Sequence, residues 1–412
     1  MNNAPIYRIV FIAVLGGFLF GLNMAGISGA VNSIKELFSL TDNGIGLMVS
    51  ALTAGCLVGA LFTGGFADRF GRRRIFLAVA LLFVISSAGC ALSYNPPMLT
   101  LFRFLSGLAV GADSVIGPMY ISEIAPAGKR GRLVSFQQFA ITIGILAAYL
   151  FDYLLLGRPD DWRWMLAVPA LFGTVFLVAS FFSLPESPRW QRGAVRNDAG
   201  KVAFRELFSG RTGRVVALGT LLAAFQQITG INAVINYAPI IFEHTGVGGG
   251  TALLQSCLVG FINFLSTIVA LWLVDTKGRR TLLLWGAAGM ILSLGYLTAS
   301  FLLGGPELGV LAALLVYIAF FAASFAPVMW VVTSEIFPDR IRARALSFST
   351  CVSWMCTFLT VQFSPAILNA LGGAALFGIF GVFALLALLF VKYRIPETRG
   401  KSLEQIEREL NL

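Results

Sequence analysis

A short run of charged and small residues occurs twice in this chain, half a length apart, and that duplication constrains its fold more than any other feature. Asp68-Arg69-Phe70-Gly71-Arg72-Arg73 returns as Asp275-Thr276-Lys277-Gly278-Arg279-Arg280, an offset of 207 residues. Ser122-Glu123-Ile124-Ala125-Pro126 returns as Ser334-Glu335-Ile336-Phe337-Pro338 at an offset of 212, and Pro185-Glu186-Ser187 as Pro396-Glu397-Thr398 at 211. Three motifs in one order at nearly one spacing mean that half of the chain has been duplicated. In a membrane chain, two parallel repeats imply two helical bundles with a path between them that opens to either side. The pattern points to a transporter before any residue is given a chemical role.

That this is a membrane chain follows from composition. It is 57% hydrophobic and only 12% charged, where a soluble domain carries about 25% charged residues. Twelve stretches reach the ~20 apolar residues that a crossing needs: 6–30, 45–66, 75–93, 98–120, 134–156, 163–184, 215–242, 251–274, 281–303, 309–333, 345–368 and 373–393. The expected fold is therefore all-α, with twelve transmembrane helices in two pseudo-symmetric six-helix bundles. The expected boundaries are 1–184 for the first bundle, 185–213 for a short charged linker, 214–393 for the second bundle and 394–412 for a tail. The linker has apolar positions at Val202, Phe204 and Leu207-Phe208 for one or two short helices. Leu403, Ile406 and Leu410 recur at helical spacing in the tail.

The net charge of +10 is not a nucleic-acid footprint. Of the 30 Lys and Arg, only Lys35, Arg158 and Arg163 fall on one side of the expected topology, with Arg103 inside a span. Because basic loops stay cytoplasmic, both termini and the linker are expected inside the cell, in a multi-pass protein of the plasma or inner membrane. The five cysteines, Cys56, Cys90, Cys257, Cys351 and Cys356, lie in apolar stretches without metal-ligand spacing, and the single histidine, His244, falls in a loop. Neither a metal, a cofactor nor an acid–base active site is expected.

Gly64-Gly65-Phe66-Ala67-Asp68-Arg69-Phe70-Gly71-Arg72-Arg73 lies in the tight loop between spans 2 and 3. It resembles the signature loop of the major facilitator superfamily, and its weaker copy at 275–280 stands where that family repeats it. Pro185-Glu186-Ser187-Pro188-Arg189-Trp190, Pro396-Glu397-Thr398-Arg399-Gly400 and Gly16-Gly17-Phe18-Leu19-Phe20-Gly21 resemble the sugar porter branch in particular. The resemblance covers nearly the whole chain. It implies carriage of a monosaccharide, a hexose or a pentose, by rocking of two halves, in a protein that works as a monomer. It also implies a charge latch at the cytoplasmic ends, built from Asp68, Arg72, Arg73, Glu123 and Arg130 with Asp275, Arg279, Glu335 and Arg342, which stabilises an outward-open state. Two departures stand out: the linker is shorter than this branch usually has, and Ala343 replaces a usual glycine.

Polar residues inside the spans are the candidate sugar site, because an unpartnered amide in lipid is costly and so either joins helices or faces a wet cavity. Span 7 reads Gln226-Gln227-Ile228-Thr229-Gly230-Ile231-Asn232, with a glycine that allows a break. Gln138, Asn263 and Trp330 complete the set, and all six match sugar-contacting positions of the sugar porters. Carboxamides donate and accept, as sugar hydroxyls do, and an indole packs on a sugar's C–H face. Phe20, Asn23, Tyr237 and Trp354 match family positions near the site. Ile145, Asn236, Ser353 and Thr357 depart from common residues there, which leaves the choice of sugar open.

Energy coupling turns on Asn23. Proton-coupled relatives carry aspartate at this position, close to an arginine that matches Arg103; an amide cannot titrate. Facilitative movement is therefore the main expectation. The alternative is a proton-coupled sugar or polyol symporter using Asp113, which lies inside span 4, ten residues beyond Arg103 or ~15 Å along a helix. A second alternative is a sugar receptor that binds without transporting.

Overall fold

The protein is described by a computed structural model that covers residues 4–125, 130–191, 207–338, 341–399, 401 and 405. In order the helices are α1 (Ala4–Ala25), α2 (Val31–Phe38), α3 (Asp42–Phe70), α4 (Arg72–Ala91), α5 (Pro96–Ile124), α6 (Arg130–Leu155), α7 (Asp161–Ser183), α8 (Pro188–Gln191), α9 (Gly210–Ile228), α10 (Ile231–Glu243), α11 (Gly249–Lys277), α12 (Arg279–Leu303), α13 (Glu307–Ala323), α14 (Phe325–Ile336) and α15 (Arg342–Arg394). No strand occurs among the described residues. The contacts expected of Val202 and Phe204, and the tail helix carrying Leu403, Ile406 and Leu410, lie outside the described residues. Leu207 is buried and Phe208 is exposed.

Among the described residues, eleven segments are long and apolar enough to cross a membrane. The last, Arg344–Arg394, has 51 residues, more than twice the ~20 that a crossing needs. It breaks at Gly372, whose φ of 82° a side chain would resist. Expected spans 11 and 12 thus lie on either side of this break, which gives twelve crossings among the described residues. Spans 7 and 10 are each broken instead. Gly230, at φ 98°, separates α9 from α10, and Ser324, at φ −132° and ψ −83°, separates α13 from α14. The short helix α2, not foreseen in the sequence, buries Val31 and Ile34 and ends at Ser39 in the left-handed region.

The chain forms two compact units. The first holds residues 1–199 together with 235–239 and 249–260; within it the Tyr149 hydroxyl donates to the Ile235 carbonyl at 2.7 Å. The second holds 200–234, 240–248 and 261–412. Within the first unit helices approach until backbones touch. A methyl group on Gly107 would sit 1.9 Å from the Leu52 carbonyl of α3, and one on Gly21 2.1 Å from the Ile141 carbonyl of α6. Lipid offers no hydrophobic drive for helix pairing, so such dispersion contacts carry the association.

Candidate functional site

In the second unit the amides of span 7 form a chain across a helix break. Gly230 interrupts the helix after Thr229, whose hydroxyl and carbonyl are held by Gln226 and by Tyr317: Thr229 Oγ1 donates to the Gln226 carbonyl at 3.0 Å, and Tyr317 OH donates to the Thr229 carbonyl at 2.9 Å. Gln226, buried, donates through Nε2 to the carbonyls of Phe325 (3.0 Å) and Ala326 (3.3 Å). Both carbonyls stand at the start of α14, next to the break at Ser324. Gln227 Nε2 donates to Gln226 Oε1 at 3.1 Å, and Asn232 Nδ2 donates to Gln227 Oε1 at 2.6 Å. Gln226 thus ties one broken helix to another, while Gln227 and Asn232, both half-buried, extend the chain. Asn263 is buried on α11, Trp354 is buried on α15, and Trp330 on α14 is 40% exposed.

In the first unit, Gln138 is half-buried on α6 and Phe20 is half-buried on α1. Tyr237 is buried, with a non-helical φ of −119° and ψ of 17° inside α10. Asn23 is buried and donates Nδ2 to the Leu19 carbonyl at 2.9 Å. Arg103, 2% exposed, does reach position 23, but through its main chain: Nη1 donates to the Asn23 carbonyl at 2.9 Å. Among the described residues no carboxylate pairs with Arg103. Leu22, Asn23, Ser87, Arg103 and Pro169 line a cavity of about 10 Å³, room for roughly one water.

Asp113 is fully buried, and its one recorded hydrogen bond comes from Gln137 Nε2 to Oδ2 at 2.7 Å. Asp113 does not meet Arg103. Gln137 escaped the sequence reading because its neighbour Gln138 was the residue with a motif match. The available signal was the Gly16-Gly17 pair, whose purpose the structure now explains: a methyl group on Gly16 would lie 1.9 Å from Asp113 Oδ1.

The duplicated motif builds the same network twice. In the first unit Arg72 pairs with Glu123 at 2.9 Å and with Asp68 at 2.9 Å. Ser187 Oγ donates to the second oxygen of Glu123. Glu186 caps α4 by accepting from the N–H groups of Arg72 (2.8 Å) and Arg73 (3.2 Å), where a carboxylate meets both unpaired donors and the helix dipole. In the second unit Arg279 pairs with Glu335 at 3.0 Å, Thr398 Oγ1 donates to Glu335 at 2.5 Å, and Glu397 accepts from the N–H groups of Arg279 (2.9 Å) and Arg280 (3.1 Å). The side chains of Arg130 and Asp275 lie outside the described ones. Arg342 donates Nε to the Phe337 carbonyl at 3.1 Å. Glu186 and Glu397 were visible in the sequence only as repeated letters; their equal offset was the signal that they share a role with the arginines. Each recorded network braces one half.

Two six-pass halves carrying one motif network each, with amides gathered at helix breaks, define a membrane carrier of the major facilitator fold. The family model described as "Sugar (and other) transporter" matches residues 9–205 and again 193–410. The chain belongs to this sugar transporter family, and its homologues are transporters rather than enzymes. It is 37% identical to the glucose transporter GlcP of Staphylococcus epidermidis, over 98% of this chain and 97% of that protein. It is 33% identical to the D-xylose-proton symporter of Escherichia coli, over 98% and 96%. Among solved structures, the inward-open xylose transporter XylE from E. coli matches with a TM-score of 0.87 at 33% identity, covering 98% of this chain and 99% of that one.

Proposed function

We propose that this protein carries a monosaccharide, a hexose or a pentose, across the plasma membrane by alternating access, with both termini cytoplasmic and as a monomer. The observation that carries the reading is the amide chain Gln226–Gln227–Asn232 held at the junction of two broken helices. Fixed carboxamides at a break offer donors and acceptors without a charge, as a neutral polyhydroxyl ligand requires. Asn263, Gln138 and Trp330 supply further contacts, and Phe20, Asn23, Tyr237 and Trp354 shape the surroundings. The networks around Glu123 and Glu335 keep each half rigid and bias the resting population. Sugar moves down its gradient, because position 23 has no titrating group beside Arg103. Uptake by vesicles reconstituted with the protein tests this: labelled sugar should equilibrate, and no uptake of any monosaccharide would overturn it.

A second reading, proton-coupled transport of a sugar or polyol, is favoured by one observation. Asp113 is a carboxyl at 0% exposure inside a span, held by one neutral amide. Such a residue is expensive in a membrane core and marks a function by default.

A further inference from the structure

Asp113 and Gln137 together hold more buried acceptor atoms than donors. The Gln137 amide supplies one hydrogen bond to Asp113 Oδ2, yet Asp113 Oδ1 and Gln137 Oε1 are both buried without a partner. An ionised carboxylate buried with a single neutral donor is costly. The space is built for these two side chains. A methyl group on Gly16 would collide with Asp113, and one on Gly17 would come within 2.8 Å of the Gln137 carbonyl and 3.0 Å of its side chain. On α5 itself, a methyl group on Gly117 would lie 2.8 Å from Gln137 Nε2. Three glycines on two helices thus frame one carboxyl–carboxamide pair.

No other described charge serves it. On α1, Arg8 is turned to Ser183 at 2.9 Å. On α3, Asp42 pairs with Lys35, Asp68 with Arg72, and Arg69 lies over the Phe70 ring, while the Cys56 backbone backs Gly111. On α4, Arg72 pairs with Glu123, Arg73 donates to the Phe181 carbonyl, Arg74 is exposed, and Cys90 is a buried free thiol. On α6, Tyr149 donates to the Ile235 carbonyl and Asp152 accepts from the Gly29 N–H; the side chains of Arg130 and Arg132 lie outside the described ones. On α5 itself, Arg103 and Glu123 each stand ten residues away, ~15 Å of helix, and Tyr120 donates to the Pro185 carbonyl.

We propose that Asp113 and Gln137 form a proton-binding site, separate from position 23, whose occupancy sets the rate at which the carrier turns over. The proton is taken from water, forms an O–H bond on the Asp113 carboxyl, and returns to water when that bond breaks. The site sits one residue from Gln138 on α6, about 100° around the helix, so a rearrangement of Gln137 is felt next to a candidate sugar contact. This inference rests on the carrier reading for its kinetic part only.

Equilibrium exchange of labelled monosaccharide, with equal sugar and equal pH on both sides of the vesicle, reads the rate across acid to alkaline pH. An infrared titration of the same protein reads the protonated carboxyl directly. The wild type should show one titrating step in both, its exchange rate changing by at most about tenfold per pH unit. Asp113→Asn, which cannot titrate, should flatten the exchange profile and remove the infrared band. Gln137→Leu, which removes the donor, should keep the band and displace its midpoint. An unchanged profile in Asp113→Asn overturns the proposal, as does a wild-type protein without the band. If Asp113→Asn does not fold, Gln137→Leu with an unmoved midpoint overturns it equally. A wild type that shows the band but exchanges no monosaccharide sinks the carrier reading and leaves the proton site standing.

Discussion

Gln226 on α9 donates to the carbonyl of Phe325, 3.0 Å away and 99 residues on in sequence, and so ties the helix broken at Gly230 to the one broken at Ser324. This bond gives Gln226 a structural duty alongside its place in the candidate sugar site. Gln226→Ala removes the hydrogen bonds that tie α9 to the start of α14, a loss of about 0.5–1.5 kcal/mol for each bond. The variant should lose thermal stability as well as sugar affinity. Asn263→Ala, which breaks no recorded bridge between helices, should weaken binding by roughly ten- to a hundredfold with little change in melting temperature. Calorimetric titration with sugar and a thermal-shift assay separate the two. Equal melting behaviour in both variants would remove the bridging role, and unchanged affinity in Asn263→Ala would remove Asn263 from the site.

Gly71 and Gly278 should be equivalent positions. Each has positive φ, 98° and 92°, and a methyl group would lie 2.4 Å from Glu186 Oε2 or 2.7 Å from Glu397 Oε2. Left-handed backbone costs a non-glycine residue about 1–2 kcal/mol, and displacing the capping carboxylate adds to it. Gly71→Ala and Gly278→Ala should each lower the melting temperature, and Glu186→Gln and Glu397→Gln should lower it in parallel. Stability unaffected in one half but lost in the other would break the equivalence of the two networks.

Removing the network charges tests a different property. Glu123→Gln with Glu335→Gln removes the charge of one of the two carboxylates paired with Arg72 and of the carboxylate paired with Arg279, without touching the candidate sugar amides. Exchange rates and the accessibility of introduced cysteines from each side should shift, with sugar affinity nearly constant. An unaltered accessibility pattern would confine these charges to membrane insertion.

Much of this was legible in the sequence, because lipid leaves few alternatives: apolar stretches of sufficient length must be helices. Offsets of 207, 212 and 211 residues identified the partners of the two networks before their geometry was known. Breaks were harder to read. Gly230 marked one, since glycine takes positive φ freely, but Ser324 carries no such mark, and the break there depends on packing. The break at Gly372 was easier, because it falls in the short gap between expected spans 11 and 12, residues 369–372. Hardest was the pairing of Asp113 with Gln137, a contact across 24 residues that no spacing rule encodes.

Replacing the amide at position 23 by a carboxylate should alter energy coupling. Asn23→Asp places a titrating group beside Arg103, whose Nη1 already reaches this residue. The variant should take up sugar against its gradient when the outside is acidic, and the wild type should only equilibrate it. Uphill uptake by the wild type would overturn the facilitative reading. Asp113→Asn would then be the deciding variant, since loss of accumulation with exchange retained would place coupling at Asp113.

Counterflow tests carriage of a monosaccharide through the amide site by alternating access. Vesicles holding the protein are preloaded with unlabelled hexoses, pentoses or polyols in turn, diluted into a trace of the labelled compound, and followed in time. A transient overshoot of label is expected for at least one hexose or pentose, with a strongly reduced overshoot in the Gln227→Ala and Asn263→Ala variants. Sugar binding without an overshoot for any compound would make the protein a receptor and not a carrier. An overshoot unaffected by both substitutions would place the site elsewhere.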